Sequence, residues 1–126
     1  MPHCEIGDTV VLQAAADLAG SPEIGVVIAR EDGMARVSWP ARTDMIEVGA
    51  LAAVTVPRDP ARQFRLGDRV VRNPVSWIAN AFDGRGRGEG IGIVVPSPFP
   101  ASAGEYDVVW PGGRCFEDET QLLPAP

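Results

Sequence analysis

The chain has 126 residues, enough for one ordinary domain or two very small ones, and its 45% hydrophobic content is that of a folded protein rather than a disordered one. A net charge of −6, with a sequence pI near 4.6, makes the overall surface unattractive to nucleic acid and to anionic membrane, because the phosphate contribution to such binding is electrostatic. No apolar run is long enough to span a bilayer. All eleven basic residues are arginine, which fits a GC-rich bacterial genome and calls for no functional reading.

The first eight residues, MPHCEIGD, lack a basic segment followed by an apolar core, so no secretory leader is expected and a cytoplasmic location is. Cys4 and Cys115 stand at opposite ends of the chain. Without an export signal they are expected to remain thiols, and they lack the close pairing of a zinc site. His3, the single histidine, lies in a terminal tail beside Cys4, an adjacency without the geometry of an activated nucleophile.

The first predicted strand is "IGDTVVL" at Ile6–Leu12, opened by a Gly-Asp turn. Ala16–Glu23 offers at most one helical turn. "IGVVI" at Ile24–Ile28 and "ARVSW" at Ala35–Trp39 follow as strands, joined through Asp32-Gly33, both of which tolerate positive φ and favour a tight turn. Thr55–Gln63, with two prolines and no apolar period, reads as a linker. The pattern then returns. "LGDRVVR" at Leu66–Arg72 matches the first strand, "IGIVV" at Ile91–Val95 the second, and "YDVVWP" at Tyr106–Pro111 the third, with Leu51 and Leu122 each twelve positions after Trp39 and Trp110.

Four blocks in the same order indicate a duplicated unit. The offset between copies is 60 at the first block and 67 at the second, so seven extra residues lie between the first two strands of the second copy. The runs are short, rich in valine and isoleucine, and punctuated by Gly, Pro and Asp, which makes each copy β. The expected fold is therefore all-β: two tandem small SH3-like barrels, residues 1–56 and 64–126, joined by a linker at 57–63. Val10, Val11, Val26, Ile28, Val37 and Leu51 are expected in one core. Val70, Val71, Ile93, Val95, Val108 and Leu122 are expected in the other, and Trp39 and Trp110 close equivalent strands as core aromatics.

In that lengthened interval lies "DGRGRGEGIG" at Asp83–Gly92, five glycines in ten residues. A dinucleotide fingerprint needs Gly-x-Gly-x-x-Gly between a strand and a helix. None of the glycines completes that spacing, a strand follows, and the absence of lysine removes a Walker loop. An arginine–glycine contact to RNA stays open. From Arg58 onward eight arginines face nine acids, whereas before it three face eight. The second copy is thus far less acidic, and a local basic patch there suits an acidic peptide or a nucleic-acid backbone.

The second copy resembles the MIB/HERC module of Mind bomb-type ubiquitin ligases. The residues that carry the resemblance are Arg69-Val70-Val71-Arg72-Asn73-Pro74-Val75-Ser76-Trp77, then Asp83-Gly84, Gly88 to Gly90, Gly92-Ile93-Val94, and Val109-Trp110-Pro111-Gly112-Gly113. Arg85 stands where the family has a second glycine, the extra "RGRG" shifts the spacing, and the first copy has no Pro-x-x-Trp. A looser similarity, through Phe64, Gly67, Asp68 and Val70, is to the SH3-like half of nitrile hydratase β subunits. The first resemblance implies recognition of protein segments and no catalytic residue.

The expected function is accordingly a non-catalytic interaction module that binds a protein or peptide partner. Trp77 and Phe82 supply flat apolar surface; Arg72, Arg85 and Arg87 supply forked donors for carboxylate or phosphate. Trp77 could equally pin the loop onto its barrel. The alternatives are an RNA- or DNA-contacting KOW/Tudor-like barrel and an acidic inhibitor or nucleic-acid mimic from a mobile element. No cofactor, metal site, catalytic residue or membrane contact is expected, and the acids Glu117-Asp118-Glu119 read as a solvated strand or turn.

Overall fold

The computed structural model of the chain describes residues 4–13, 23–57, 59–60, 62–75, 90–97 and 104–125. Over these residues it is all-β, with two five-stranded antiparallel sheets. The first contains β1 (Thr9–Leu12), β2 (Gly25–Glu31), β3 (Met34–Ser38), β4 (Thr43–Glu47) and β5 (Leu51–Ala53), in the order β4-β3-β2-β1-β5. The second contains β6 (Arg69–Arg72), β7 (Gly92–Val95), β8 (Glu105–Trp110), β9 (Gly113–Asp118) and β10 (Leu122–Pro124), in the order β10-β6-β7-β8-β9. Counted from its own first strand, each sheet therefore has the same order. A 3-10 turn precedes the last strand in both, Val48–Ala50 in the first and Glu119–Gln121 in the second.

The repeated Gly-Asp blocks are the same turn built twice. Asp8 N donates to Glu5 O at 3.0 Å and Asp68 N to Arg65 O at 3.1 Å. Gly7 and Gly67, third in their turns, have φ of 97° and 89°, which a type II turn requires and glycine meets without a Cβ penalty. Each aspartate carboxylate then accepts the backbone N–H that opens its turn, from Glu5 and from Arg65, both at 2.9 Å. The turn is finally laced to the second strand: Gly7 N to Val27 O and Gly67 N to Val94 O at 2.8 Å, with Val27 N to Asp8 O and Val94 N to Asp68 O at 3.0 Å. Asp32 and Gly33 carry φ of 41° and 83° and join β2 to β3 in a two-residue hairpin, as the Asp-Gly pair predicts.

The Ile-Gly and Trp-Pro blocks recur together because they touch. A Cβ on Gly25 would lie 2.5 Å from Val37 Cγ1 and 2.8 Å from Trp39 Cε3; one on Gly92 would lie 2.5 Å from Val108 Cγ1 and 2.8 Å from Trp110 Cε3. Each glycine clears the space into which an indole packs. Trp39 joins Cys4, Val10, Val27, Ala35, Val37, Val48 and Leu51 in one core cluster. Trp110 joins Phe64, Val70, Val94, Tyr106, Val108 and Leu122 in the other.

Three core expectations need correction. Ile28, Val71 and Ile93 are only half-buried; Val27 and Val94 occupy the core clusters in the neighbouring register. Successive strand side chains point to opposite faces, and a bulge between Val27 and Ala29 shifts the β2 register further. Val26 and Val95 are nevertheless buried outside both clusters, because β2 and β7 lie against each other and cover those outer faces. Glu117 is corrected too: rather than solvated, it is 2% exposed.

The sheets meet closely at the two turns. A Cβ on Gly67 would fall 1.9 Å from Gly7 O, and one on Gly7 would fall 3.0 Å from Gly67 O. Arg114 ties the sheets a second time. Its Nε and Nη2 bind the Asp107 carboxylate at 2.8 and 2.7 Å, and Nη2 also donates to Pro96 O at 2.7 Å. Within the same fan, Nη2 reaches Pro40 O at 3.2 Å, while Nη1 reaches Ser38 Oγ and Trp39 O at 3.4 Å. One guanidinium thus satisfies a buried carboxylate of the second sheet and the carbonyls at the end of β3 in the first. Among the described residues no helix is long and apolar enough to cross a membrane.

Candidate partner-binding site

The insertion connects two adjacent antiparallel strands. β6 pairs with β7 through Arg69↔Ile93 and Val70↔Gly92, so the chain between them leaves and rejoins the second sheet at one end of that pair. Of the residues expected to bind a partner, Trp77, Phe82, Arg85 and Arg87 lie outside the described residues. Arg72 is described. It ends β6, half-buried, opposite Leu122 of β10, which puts it at the foot of the insertion.

The next residue fixes how the chain leaves the sheet. Asn73 N donates to Gln121 O at 2.9 Å and Asn73 Nδ2 to Thr120 O at 3.1 Å. Its Oδ1 accepts Val75 N at 3.0 Å, a side chain standing in for backbone as asparagine does before a turn. The 3-10 turn it grips is itself reinforced: Asp118 Oδ1 accepts Thr120 N and Thr120 Oγ1, and Gln121 Oε1 accepts Asp118 N, all at 3.0 Å. On the returning side Gly90 has φ of 137°, and a Cβ there would lie 3.2 Å from Pro111 Cγ. Sequence reasoning passed over Asn73, although Asn-Pro directly after a strand is a turn-initiating signal.

A concavity of about 430 Å³ lies where the linker meets the sheets, bordered by Thr9, Pro57, Arg62, Phe64, Gly67 and Tyr106. Tyr106 organises it. Its hydroxyl accepts Gln63 N at 2.8 Å and Phe64 N at 3.2 Å, and its ring meets Phe64 edge-on at 5.3 Å. The Arg62 guanidinium lies 4.4 Å from the Tyr106 ring centroid and donates to Glu105 O. These contacts seat the linker on the second sheet, and no sequence signal pointed to them.

The buried polar groups read as structural. Trp110 Nε1 donates to Glu117 Oε2 at 2.8 Å. The equivalent position in the first sheet is Ile46, and Trp39 Nε1 is buried without a hydrogen-bond partner among the described residues. Burial pushes the Cys4 thiol above its ordinary range, with Asp8 adding to the rise and Arg30 opposing it; such a thiol is a poor nucleophile at neutral pH. Arg42 bridges Glu23 and Asp44 at 2.8 Å on the surface, and these two hydrogen bonds, Asp44 first, raise its already high pKa. Among the described residues no group of three His, Cys, Asp or Glu side chains is placed to hold a metal ion.

Compared with known proteins, the chain matches no protein-family model and no curated sequence.

Proposed function

We propose that the chain is a pair of SH3-like barrels that arose by internal duplication and together serve as a non-catalytic module, binding a protein or peptide through the segment inserted between β6 and β7. Support for the duplication is the shared strand order, the 3-10 turn before each last strand and the Gly-Asp turns matched bond for bond. One observation carries the site: of the two connections lengthened in the second copy, β6–β7 and β7–β8, only the first contains both aromatic and arginine side chains, Trp77, Phe82, Arg85 and Arg87. A rigid repeated framework puts its recognition chemistry in its elaborated loops. Aromatic and arginine side chains are the types that dominate binding energy at interfaces.

The test compares the whole protein with a variant carrying Trp77→Ala, Arg85→Ala and Arg87→Ala. Protein captured from the native host by the parent chain is lost by the variant, each anchor contributing on the order of 2 kcal/mol, while both retain the same far-ultraviolet dichroism. Capture undiminished in the folded variant removes the site from this loop. Capture of nucleic acid instead, weakening steeply with added salt, makes the module a nucleic-acid binder.

A further inference from the structure

β9 is the outer strand of the second sheet, paired with β8 from Glu105↔Asp118 to Trp110↔Gly113. A two-residue loop, Pro111-Gly112, closes that hairpin, so Trp110 and Gly113 exchange hydrogen bonds and bonded pairs alternate from there. Glu119 N donates to Gly104 O at 2.8 Å, which keeps the same phase at the far end. Gly113, Cys115 and Glu117 therefore turn their backbone groups to β8, while Arg114, Phe116 and Asp118 turn theirs away. Asp118 N is taken by Gln121 Oε1 at 3.0 Å. The N–H and C=O groups of Arg114 and Phe116 have no backbone partner among the described residues. The features that blunt a sheet edge are missing here: residues 113–118 contain no lysine or proline, and the register shows no bulge.

A concavity of about 290 Å³ lies along the same edge, bordered by Pro40, Ala41, Asp107, Arg114, Cys115 and Phe116. Arg114 and Phe116 belong to one face of β9 and Cys115 to the other, so the space opens at the edge of the strand rather than over one face. Pro40 and Ala41, between β3 and β4, form its far wall. Phe116 is 48% exposed. A donor and an acceptor repeated every second residue are matched by another extended backbone. The slot favours a single strand over a second copy of the chain, because a twofold pairing of two β9 strands would bring a second Pro40-Ala41 turn into the same space. Charge defines the strand further. Glu105 and Asp118 stand directly opposite each other, and among the described residues neither carboxylate is paired with a cationic side chain. Like charges opposed on one face repel, so a basic residue two positions from the one beside Phe116 is stabilised there.

We propose that the outer edge of β9 is a docking surface for an extended peptide of another protein. The peptide adds a strand to the second sheet, sets an apolar side chain against Phe116 and places an arginine or lysine beside Glu105 and Asp118. This surface is independent of the inserted segment, which leaves the sheet between β6 and β7; β9 lies two strands beyond β7.

The probe is a phage-displayed library of random linear peptides, panned on the full-length protein. Enriched sequences are expected to share an apolar residue two positions from an arginine or lysine. A synthetic peptide of that sequence is expected to bind the parent and to slow alkylation of Cys115, which borders the slot. Phe116→Pro is expected to weaken it by about tenfold or more, since the outward donor is gone. Proline is tolerated at an edge position whose N–H faces solvent, and equal far-ultraviolet dichroism checks the fold. The variant with Trp77→Ala, Arg85→Ala and Arg87→Ala should bind the peptide as the parent does. Two alternately N-methylated forms of the peptide test the same bonds whether or not Phe116→Pro folds, and one of them should fail to bind. No enrichment, unslowed alkylation of Cys115, unchanged affinity in folded Phe116→Pro, or full binding by both N-methylated forms overturns the proposal. So does a dimer of the parent chain that Phe116→Pro dissociates, since β9 would then pair with a second copy. Binding lost in the triple variant but kept in Phe116→Pro also overturns it, and assigns the peptide to the inserted segment.

Discussion

The glycines at the start of the second strands show how a single missing atom organises a core. Gly25 and Gly92 are buried beneath Trp39 and Trp110, and a methyl group at either would lie 2.5 Å from a valine Cγ1 and 2.8 Å from an indole carbon. The indole cannot retreat, because each ring is already enclosed in its cluster. Gly92→Ala and Gly25→Ala are each expected to cost about 1–3 kcal/mol through overpacking, read as a lower urea midpoint with an unchanged slope. Gly49→Ala is the control: nothing lies within 4 Å of a Cβ there, so it should be neutral or stabilise by about 0.4–1 kcal/mol through the unfolded chain. Residues such as these were readable as repeated letters, Ile-Gly and Trp-Pro, long before their contact was visible. Arg114 was not readable. Its partners Ser38, Trp39 and Pro40 lie 74–76 positions away in sequence, and no spacing rule links a residue to carbonyls in another sheet.

At the level of elements, the strands declare themselves through composition, but which side of a strand faces inward does not. β7 and residues 25–29 of β2 are continuous apolar runs, with buried side chains on both faces. Period-two reasoning then has no polar residue to set its phase, which is why Ile28 and Ile93 were expected inside where Val27 and Val94 are found. The linker is a second case. Thr55–Gln63 looked like a tether because it lacks period and contains prolines, yet its C-terminal end is held by Tyr106. Tyr106→Phe tests that hold. It keeps the edge-on contact with Phe64 and the stacking of Arg62 but removes the acceptor for two backbone N–H groups, one of them buried. An unsatisfied buried donor costs about 1–3 kcal/mol. The melting temperature should fall, and the Gln63 and Phe64 amides should exchange faster than those of β7 and β8; equal protection before and after would show that the linker is held by other contacts.

Across the whole molecule, the defining contact is between two turns, each of which the local backbone already requires. A Gly-Asp turn needs positive φ at its glycine, and that alone accounts for Gly7 and Gly67 as sequence features. The structure gives them a second duty, since the two turns stack backbone to backbone between the sheets, and only a residue without Cβ permits that approach. The two duties can be separated by comparing three glycines of similar φ. Gly33→Ala, at φ 83° with nothing within 4 Å of its Cβ, measures the conformational penalty alone, about 1–2 kcal/mol. Gly7→Ala adds a contact at 3.0 Å and Gly67→Ala one at 1.9 Å with the opposite backbone. Neither neighbour is a flexible side chain, so the methyl group is accommodated only if the sheets move apart. The destabilisation is expected to rise from Gly33→Ala through Gly7→Ala to Gly67→Ala. In Gly67→Ala alone, calorimetric unfolding should broaden or divide as the sheets lose their common face, with faster proteolysis in residues 57–63. Equal losses for all three variants would mean that the turns matter only to themselves, and that Arg114 and the β2–β7 contact suffice to hold the two sheets together.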